Sequence, residues 1–358
     1  LETKAKLKSH MSPQDVIYWR WISATVLGIV TTSSVYHWSI EDDAAPQKVF
    51  DRHASLADTQ IINYRASADG KWMVLIGISS NTVDANAFRI KGSMQLYSKE
   101  RGVSQPIDGH AAAFAELKTQ DANVPYKLFT FAVRTSTGAK LHIVEIDHAP
   151  ENPAFSKKTV DVFSPDEATN DFPVAMQVSK RYGIVYLMTK YGFIHLYDLE
   201  TGACIYMNRV SGETVFVAAE QKSSNGIIAV NRRGQVLSVS VDADTIIPYI
   251  LRTLNNTDLA FKLASRGNLP GADEMYLQQF HSLFSTGQYT EAIKIAANSP
   301  RGILRTPQMI EQLKQVPSQP GTLSPILQYF GMLLESGSLN QHESLELSKP
   351  VLAQGRKH

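Results

Sequence analysis

Apolar and polar positions alternate along most of this chain, and five of the alternating segments end alike: Val35-Tyr36-His37-Trp38-Ser39, Met94-Gln95-Leu96-Tyr97-Ser98, Leu141-His142-Ile143-Val144-Glu145, Ile194-His195-Leu196-Tyr197-Asp198 and Val236-Leu237-Ser238-Val239-Ser240. Each follows a short turn and an apolar run, at 27–31, 72–78, 128–133, 183–189 and 226–230. Period-two alternation of this length predicts strands. The copies recur every ~40 to 60 residues, a period that marks propeller blades or stacked arrays. The fourth copy reads as four strands, 172–178, 183–189, 191–199 and 203–210, with turns at Lys180 to Gly183, Lys190 to Gly192 and Glu200 to Gly202. The other copies begin at Val16, Gln60, Ala112 and Thr214, and only the fifth lacks an outer strand of its own. A small sheet with two apolar faces cannot bury both alone, so successive sheets must stack around an axis.

The ends of the repeat array carry a further expectation. Leu1 to His10 reads as the outer strand of an earlier blade, so the ring is expected to have its first blades upstream. Past Ile250 the pattern changes to helices. A short one covers 258–265, and a pair covers 272–285 and 290–297, joined at Thr286-Gly287-Gln288-Tyr289. Thr306 caps another helix with Pro307 in its first turn. Pro317 to Pro320 ends it, and a last pair follows at 325–334 and 342–347. Short antiparallel helices separated by Gly and Pro turns read as the start of an α-solenoid. Gln354 to His358 offers no closing cap, so the helices are expected to continue.

Composition narrows the function classes. The 35 basic residues nearly balance 34 acidic ones, which leaves no electrostatic footprint for nucleic acid. No apolar run reaches the ~18 residues of a membrane span. The lone Cys204 excludes an internal disulfide framework and suits a reducing compartment. Hydrophobic residues make up 43% of the 358 positions, enough for a substantial core. No nucleophile motif, phosphate loop or zinc pattern occurs, and His142 and Glu145 on one strand point to opposite faces. Asp161, Asp166, Glu167 and Asp171 read as a solvated acidic loop without calcium-loop spacing. His37, His142 and His195 take equivalent positions in three repeats and read as packing or hydrogen-bonding residues.

Several segments carry a family resemblance: Asp51-Arg52-His53, Gln60 to Arg65, Asn170 to Gln177, Lys190-Tyr191-Gly192, His195 to Gly202 with Tyr206 to Arg209, Gly302 to Pro307, and Tyr329-Phe330-Gly331. Over essentially its whole length the chain resembles the clathrin heavy chain. The resemblance implies that residues 1–250 are most of a seven-bladed β-propeller and that 251–358 are the helical linker and start of the solenoid leg. It further implies a structural coat protein of coated pits and vesicles, on their cytoplasmic face, with no catalysis and no cofactor. Adaptor and accessory proteins would be the partners, bound through short linear motifs in grooves between blades, and membrane would be met only through them. The light-chain-binding and trimerisation regions of the family are not in this sequence.

Three family sites carry over residue by residue. Lys4 and Lys6 match the groove that takes an adaptor's clathrin-box peptide, where they would face the motif's acidic end; the bare residues read equally as lysines blunting an edge strand. Trp72, Leu96, Arg101, Val103, Ser104 and Gln105 match a groove for a second apolar motif, carried by arrestin tails. Arg101, Val103 and Gln105 alternate and are expected on one face of one strand, while Trp72 and Leu96 lie in runs that would be core in any case. The loop between Ser79 and Lys91 is about five residues longer than in the family, which bears on access to this groove. Gln60 and Ile62 match part of a third site near the ring axis, where a Trp-containing motif inserts. Outside the resemblance two classes stay open. A WD-type scaffold is favoured by the Ile194 to Gly202 blade ending, and a propeller enzyme would need a central polar cluster that the sequence does not name.

Overall fold

The computed structural model describes residues 8–80, 90–119, 122–165, 168, 170–299, 302–317, 323–336 and 339–353. Two compact units divide between Val241 and Asp242.

The first unit is a stack of five antiparallel sheets. Sheet A comprises β1 (Val16–Trp21), β2 (Val26–Thr31), β3 (Ser34–Ser39) and β4 (Gln47–Asp51). Sheet B holds β5 (Gln60–Ala66), β6 (Trp72–Ser80), β7 (Ile90–Ser98) and β8 (Val103–Asp108). Sheet C follows with β9 (Ala111–Leu117), β10 (Tyr126–Thr135), β11 (Gly138–Asp147) and β12 (Lys158–Val162). Sheet D has β13 (Pro173–Ser179), β14 (Ile184–Thr189), β15 (Phe193–Asp198) and β16 (Cys204–Arg209), and sheet E has β17 (Val215–Gln221), β18 (Gly226–Asn231) and β19 (Val236–Val239). Strands pair in chain order within each sheet, and first strands of successive sheets adjoin, β1 beside β5, β9 beside β13 and β13 beside β17. These are propeller blades with their first strands innermost. The described residues hold five blades rather than seven, and the fifth has three strands.

Period-two alternation sends neighbouring residues of one strand into different cores. On β6, Met73 and Leu75 pack with Val30, Val35, Phe50 and Tyr64 between sheets A and B. Val74 and Ile76 pack with Met94, Leu96, Ala112 and Phe129 between B and C. On β14, Val185 and Leu187 join Leu128, Leu141, Ile143 and Met176 between C and D. Each such side chain contributes about 1.5–3 kcal/mol on burial. Gly28 permits one close approach, because a Cβ there would lie 2.7 Å from the Tyr64 ring. That ring crosses sheet A, and its hydroxyl shares a 2.7 Å hydrogen bond with His37 Nε2. The outer face of sheet A is different. Trp19, 60% exposed, and Trp21, 47% exposed, stand on it beside Ile29 and Leu27 without a covering sheet among the described residues.

The second unit is helical from Ile246, a few residues before Ile250. α1 (Ile246–Tyr249) runs through a π turn at Ile250–Leu254, then come α2 (Thr257–Gly267), α3 (Ala272–Ser285), α4 (Tyr289–Ala297), α5 (Pro307–Gln315), α6 (Pro325–Ser336) and α7 (Gln341–Ala353). Thr306 accepts from the Met309 N–H and places Pro307 in the first turn, as its spacing predicts. α7 runs past the expected 342–347 at both ends, since Asn340 and Glu343 cap it reciprocally: Glu343 N–H donates to Asn340 Oδ1 at 2.9 Å, and Asn340 N–H to Glu343 Oε2 at 2.7 Å. Tyr276, Phe280, Ile293, Met309, Leu313 and Tyr329 form the helical core.

Glu343 also ties α6 and α7 to the segment just before α5. Fully buried, it accepts from Arg305 Nε at 2.8 Å and from the Tyr329 hydroxyl at 2.6 Å. Burial alone would raise its pKa, but Arg305, the Asn340 N–H and Tyr329 outweigh burial and hold it below the usual carboxylate range. Stability from this group is therefore complete above its unfolded pKa of about 4.3 and is lost as pH falls through the folded value. Arg305→Leu should destabilise the helical unit by about 3 kcal/mol at pH 7, because it strands a buried carboxylate. The deficit relative to wild type should shrink below pH ~4. Denaturant unfolding followed by far-UV circular dichroism measures both; a pH-independent deficit would remove Glu343's charge from the account.

Candidate functional site

The junction of sheets B and C brings together Trp72, Leu96, Arg101, Val103 and Gln105, half of the expected site residues. Cross-strand pairs share a face, and Trp72 is opposite Ser98, which is opposite Val103, while Val74 is opposite Leu96, which is opposite Gln105. Trp72, Leu96, Val103 and Gln105 therefore lie on one face of sheet B. That face packs toward sheet C, whose Phe114, Phe129, Phe131 and Val144 form the opposing wall. Leu96 is buried there as core, whereas Val103, 58% exposed, and the exposed Gln105 reach the groove mouth.

Two members of the set are placed differently from expectation. Arg101 is not on the strand, since β8 starts at Val103 and Arg101 sits in the preceding turn, where Gly102 takes φ +62°. Its guanidinium nevertheless lies 6.0 Å from the Trp72 ring centroid, a cation–π distance that returns it to the groove. Ser104 lies on the other face. Its hydroxyl accepts from Gln95 Nε2 at 2.7 Å, and Gln95, wholly buried, also donates to Asp51 O at 2.8 Å and accepts from His53 N–H at 2.8 Å. Ser104 thus holds Gln95, which joins sheet B to sheet A. Alternation alone assigns it there, because it falls between Val103 and Gln105.

Gln60 and Ile62 occupy the start of β5, where Gln60 is opposite Ile78 and Ile62 fills a bulge packed on the B–C core. Trp72 lies at the other end of β6 from Ile78, so these two positions are apart from the Trp72 group. Lys4 and Lys6 lie outside the described residues, as does 81–89 of the expected long loop; β6 and β7 pair up to Ser80 and Ile90.

The remaining polar candidates are structural. Asp171 is not solvated: it is buried and accepts from the Phe172 and Tyr191 N–H groups, each at 2.9 Å. Burial pushes its pKa up despite these bonds. Among the described residues no cluster of acidic, His and Cys side chains could hold a metal. His142 stacks on Phe131 with centroids 4.7 Å apart and shares a 3.1 Å bond with Thr159. His195, 1% exposed, stacks on Tyr197.

The fold is a β-propeller, with Val103 and Gln105 exposed at the junction of two blades, followed by helices. Family models agree over successive stretches: the clathrin propeller repeat matches residues 165–200 and 208–242, the clathrin heavy-chain linker 244–266, and Clathrin-H-link 268–333. The chain is 56% identical over 359 residues to the clathrin heavy chain of Drosophila melanogaster, with 100% of this chain and 21% of that protein covered. It is 55% identical over 356 residues to the probable clathrin heavy chain of Schizosaccharomyces pombe, covering 99% of this chain and 21% of the relative. Clathrin heavy chain 2 of Homo sapiens is 52% identical over 358 residues, covering 100% of this chain and 22% of the relative. The chain belongs to the clathrin heavy chain family and spans about a fifth of the length of these relatives.

Burial brings the His195 pKa down to about 4, and burial with the Lys99 charge does the same for His37. The unfolded state then binds more protons below pH ~6.5, so stability falls as pH drops from there toward the folded values. Each group contributes a slope of up to about 1.4 kcal/mol per pH unit. Urea unfolding of the chain at pH 7, 6 and 5 should show this loss, and His195→Gln should flatten it by about 1 kcal/mol per unit. An unchanged slope would mean that His195 titrates normally.

Proposed function

We propose that this chain is part of a structural coat protein of clathrin-coated pits and vesicles, and that its propeller binds short linear motifs of adaptor and accessory proteins in the grooves between blades. The observation that carries the reading is the B–C groove. An exposed Val103 and Gln105 lie beside Trp72 and Arg101, against an aromatic wall. An extended peptide sends alternate side chains into apolar pockets while a few polar groups set its register. Gln105 supplies such a group, and Trp72 and Val103 supply the apolar surface. Weak single contacts then act through multivalency in an assembled coat. Lys4 and Lys6 belong to a second such groove in this reading, and Gln60 with Ile62 to a third.

The finer architecture is part of the same proposal. Residues 1–250 belong to a seven-bladed ring and 251–358 to a linker that opens an α-solenoid. The uncovered aromatic face of sheet A supports further blades, as does the exposed Val217 and Val236 pair on sheet E. Localisation on the cytoplasmic face, and contact with membrane only through adaptors, follow from the coat role.

Titration with an arrestin-type apolar peptide tests the groove. Val103→Asp with Gln105→Ala should weaken it by about 1 to 3 kcal/mol through a desolvated charge and a lost hydrogen bond. Ser104→Ala, on the opposite face, should leave affinity unchanged and cost about 1 kcal/mol of stability. Loss of binding in Ser104→Ala but not in the double variant would overturn the assignment.

A further inference from the structure

A cavity of about 530 Å³ opens at the ring axis, lined by residues from the inner strands of all five sheets. Its lining comes from the C-terminal ends of those strands: Arg20 of β1, Arg65 of β5, Glu116 of β9, Gln177 of β13 and Glu220 of β17. Gln60 begins β5, so Arg65 lies toward the other end of that strand, about 17 Å from Gln60 and about 10 Å from Ile62 at ~3.3 Å per residue. The volume falls within the range of small-molecule sites.

The charges are arranged in two levels. Deep in the cavity, Arg65 Nη1 donates to the amide oxygen of the buried Gln177 at 3.2 Å, and its buried Nε has no hydrogen-bond partner among the described residues. Arg20 Nη1 donates to Asn63 Oδ1 at 2.6 Å. Both guanidiniums thus rest on neutral amides. Burial and the Arg20 charge bring the Arg65 pKa down to about 10, with Glu220 opposing, so it stays protonated at neutral pH. The carboxylates of Asp69, Glu116 and Glu220 share the lining with Arg20, Arg65, Lys127, Lys180 and Lys222, so cations outnumber anions. Glu116 and Glu220 stand exposed, as do Lys180 and Lys222, and Asp69 is paired to Lys127, which also holds Asp147.

A buried N–H donor without a partner, such as Arg65 Nε, is costly unless an acceptor completes it. Arg20 and Arg65 line one cavity and act on each other electrostatically, and no ion pair joins either to a carboxylate among the described residues. Planar forked donors suit phosphate and carboxylate oxygens in particular. We propose that the axial cavity is an anion site, which takes a small ligand bearing phosphate or carboxylate groups between Arg20 and Arg65. Trp72 and Phe114 line both this cavity and the B–C groove, whereas Arg20, Arg65, Val103 and Gln105 each belong to one of them alone.

Calorimetric titration of the chain with pyrophosphate, and separately with citrate, at fixed ionic strength tests the proposal. Saturable one-site binding is expected, weakened about tenfold or more by Arg65→Gln and by Arg20→Gln as charge-assisted bonds are lost, and unaffected by Arg233→Gln at the other end of sheet E. Tighter binding of pyrophosphate identifies phosphate as the preferred group, and tighter citrate identifies carboxylate. No saturable binding of either at millimolar concentration, or equal affinity in both cavity variants, would overturn the site. If Arg65→Gln does not fold, the Arg65 Nε–H resonance of the unsubstituted chain decides. A saturable shift during titration supports the site, and a stationary resonance refutes it.

Discussion

Face-to-face burial of one sheet against the next is the constraint from which the rest of the propeller follows. Met73 and Leu75 face one neighbour while Val74 and Ile76 face the other, so an interior sheet has no solvent face to spare. Polar groups caught between sheets must then find partners there. Gln95 does so with three bonds that join Asp51, His53 and Ser104 across the A–B interface. Asp171 does so with backbone N–H groups at a blade turn. Such fully satisfied polar groups fix which sheet neighbours which, because a shifted arrangement would leave a buried donor or acceptor unmade.

Function is displaced to wherever stacking is incomplete. Burial falls off toward the outer edge of sheet B, so Leu96 on its third strand is core while Val103, on the outermost strand, is exposed. The groove is the visible part of the same apolar face that builds the B–C core. At the C-terminal ends of the inner strands lies the cavity that Arg20 and Arg65 share with Glu116 and Glu220. One architecture therefore exposes part of an apolar face at the outer strand of sheet B and a charged cavity at the inner strand ends.

Much of this was legible in the sequence, because alternation at period two is local. Strand positions in the fourth repeat, the missing outer strand of the fifth and the Thr306–Pro307 helix start all follow from neighbours a few residues apart. Arg101 was misplaced because the strand start depends on the left-handed Gly102, a conformation that the residue type permits but does not require. Ser104 was grouped with its sequence neighbours although alternation turns it to the other sheet. Asp171 looked solvated among acidic neighbours, and only the turn that wraps it supplies its N–H partners. The axial cavity was invisible, since Arg65 and Gln177 meet from different repeats 112 residues apart.

If face-to-face burial governs the propeller, amide protection should follow the number of covered faces rather than strand length or composition. Hydrogen exchange of the chain under native conditions measures this directly. The account predicts the slowest exchange in the central strands of sheets B, C and D, at Leu75, Phe129 and Leu187, and faster exchange at β1 of sheet A and β19 of sheet E, each bordering an uncovered face. Equal protection in all five sheets, or the strongest protection at β1 and β19, would contradict it.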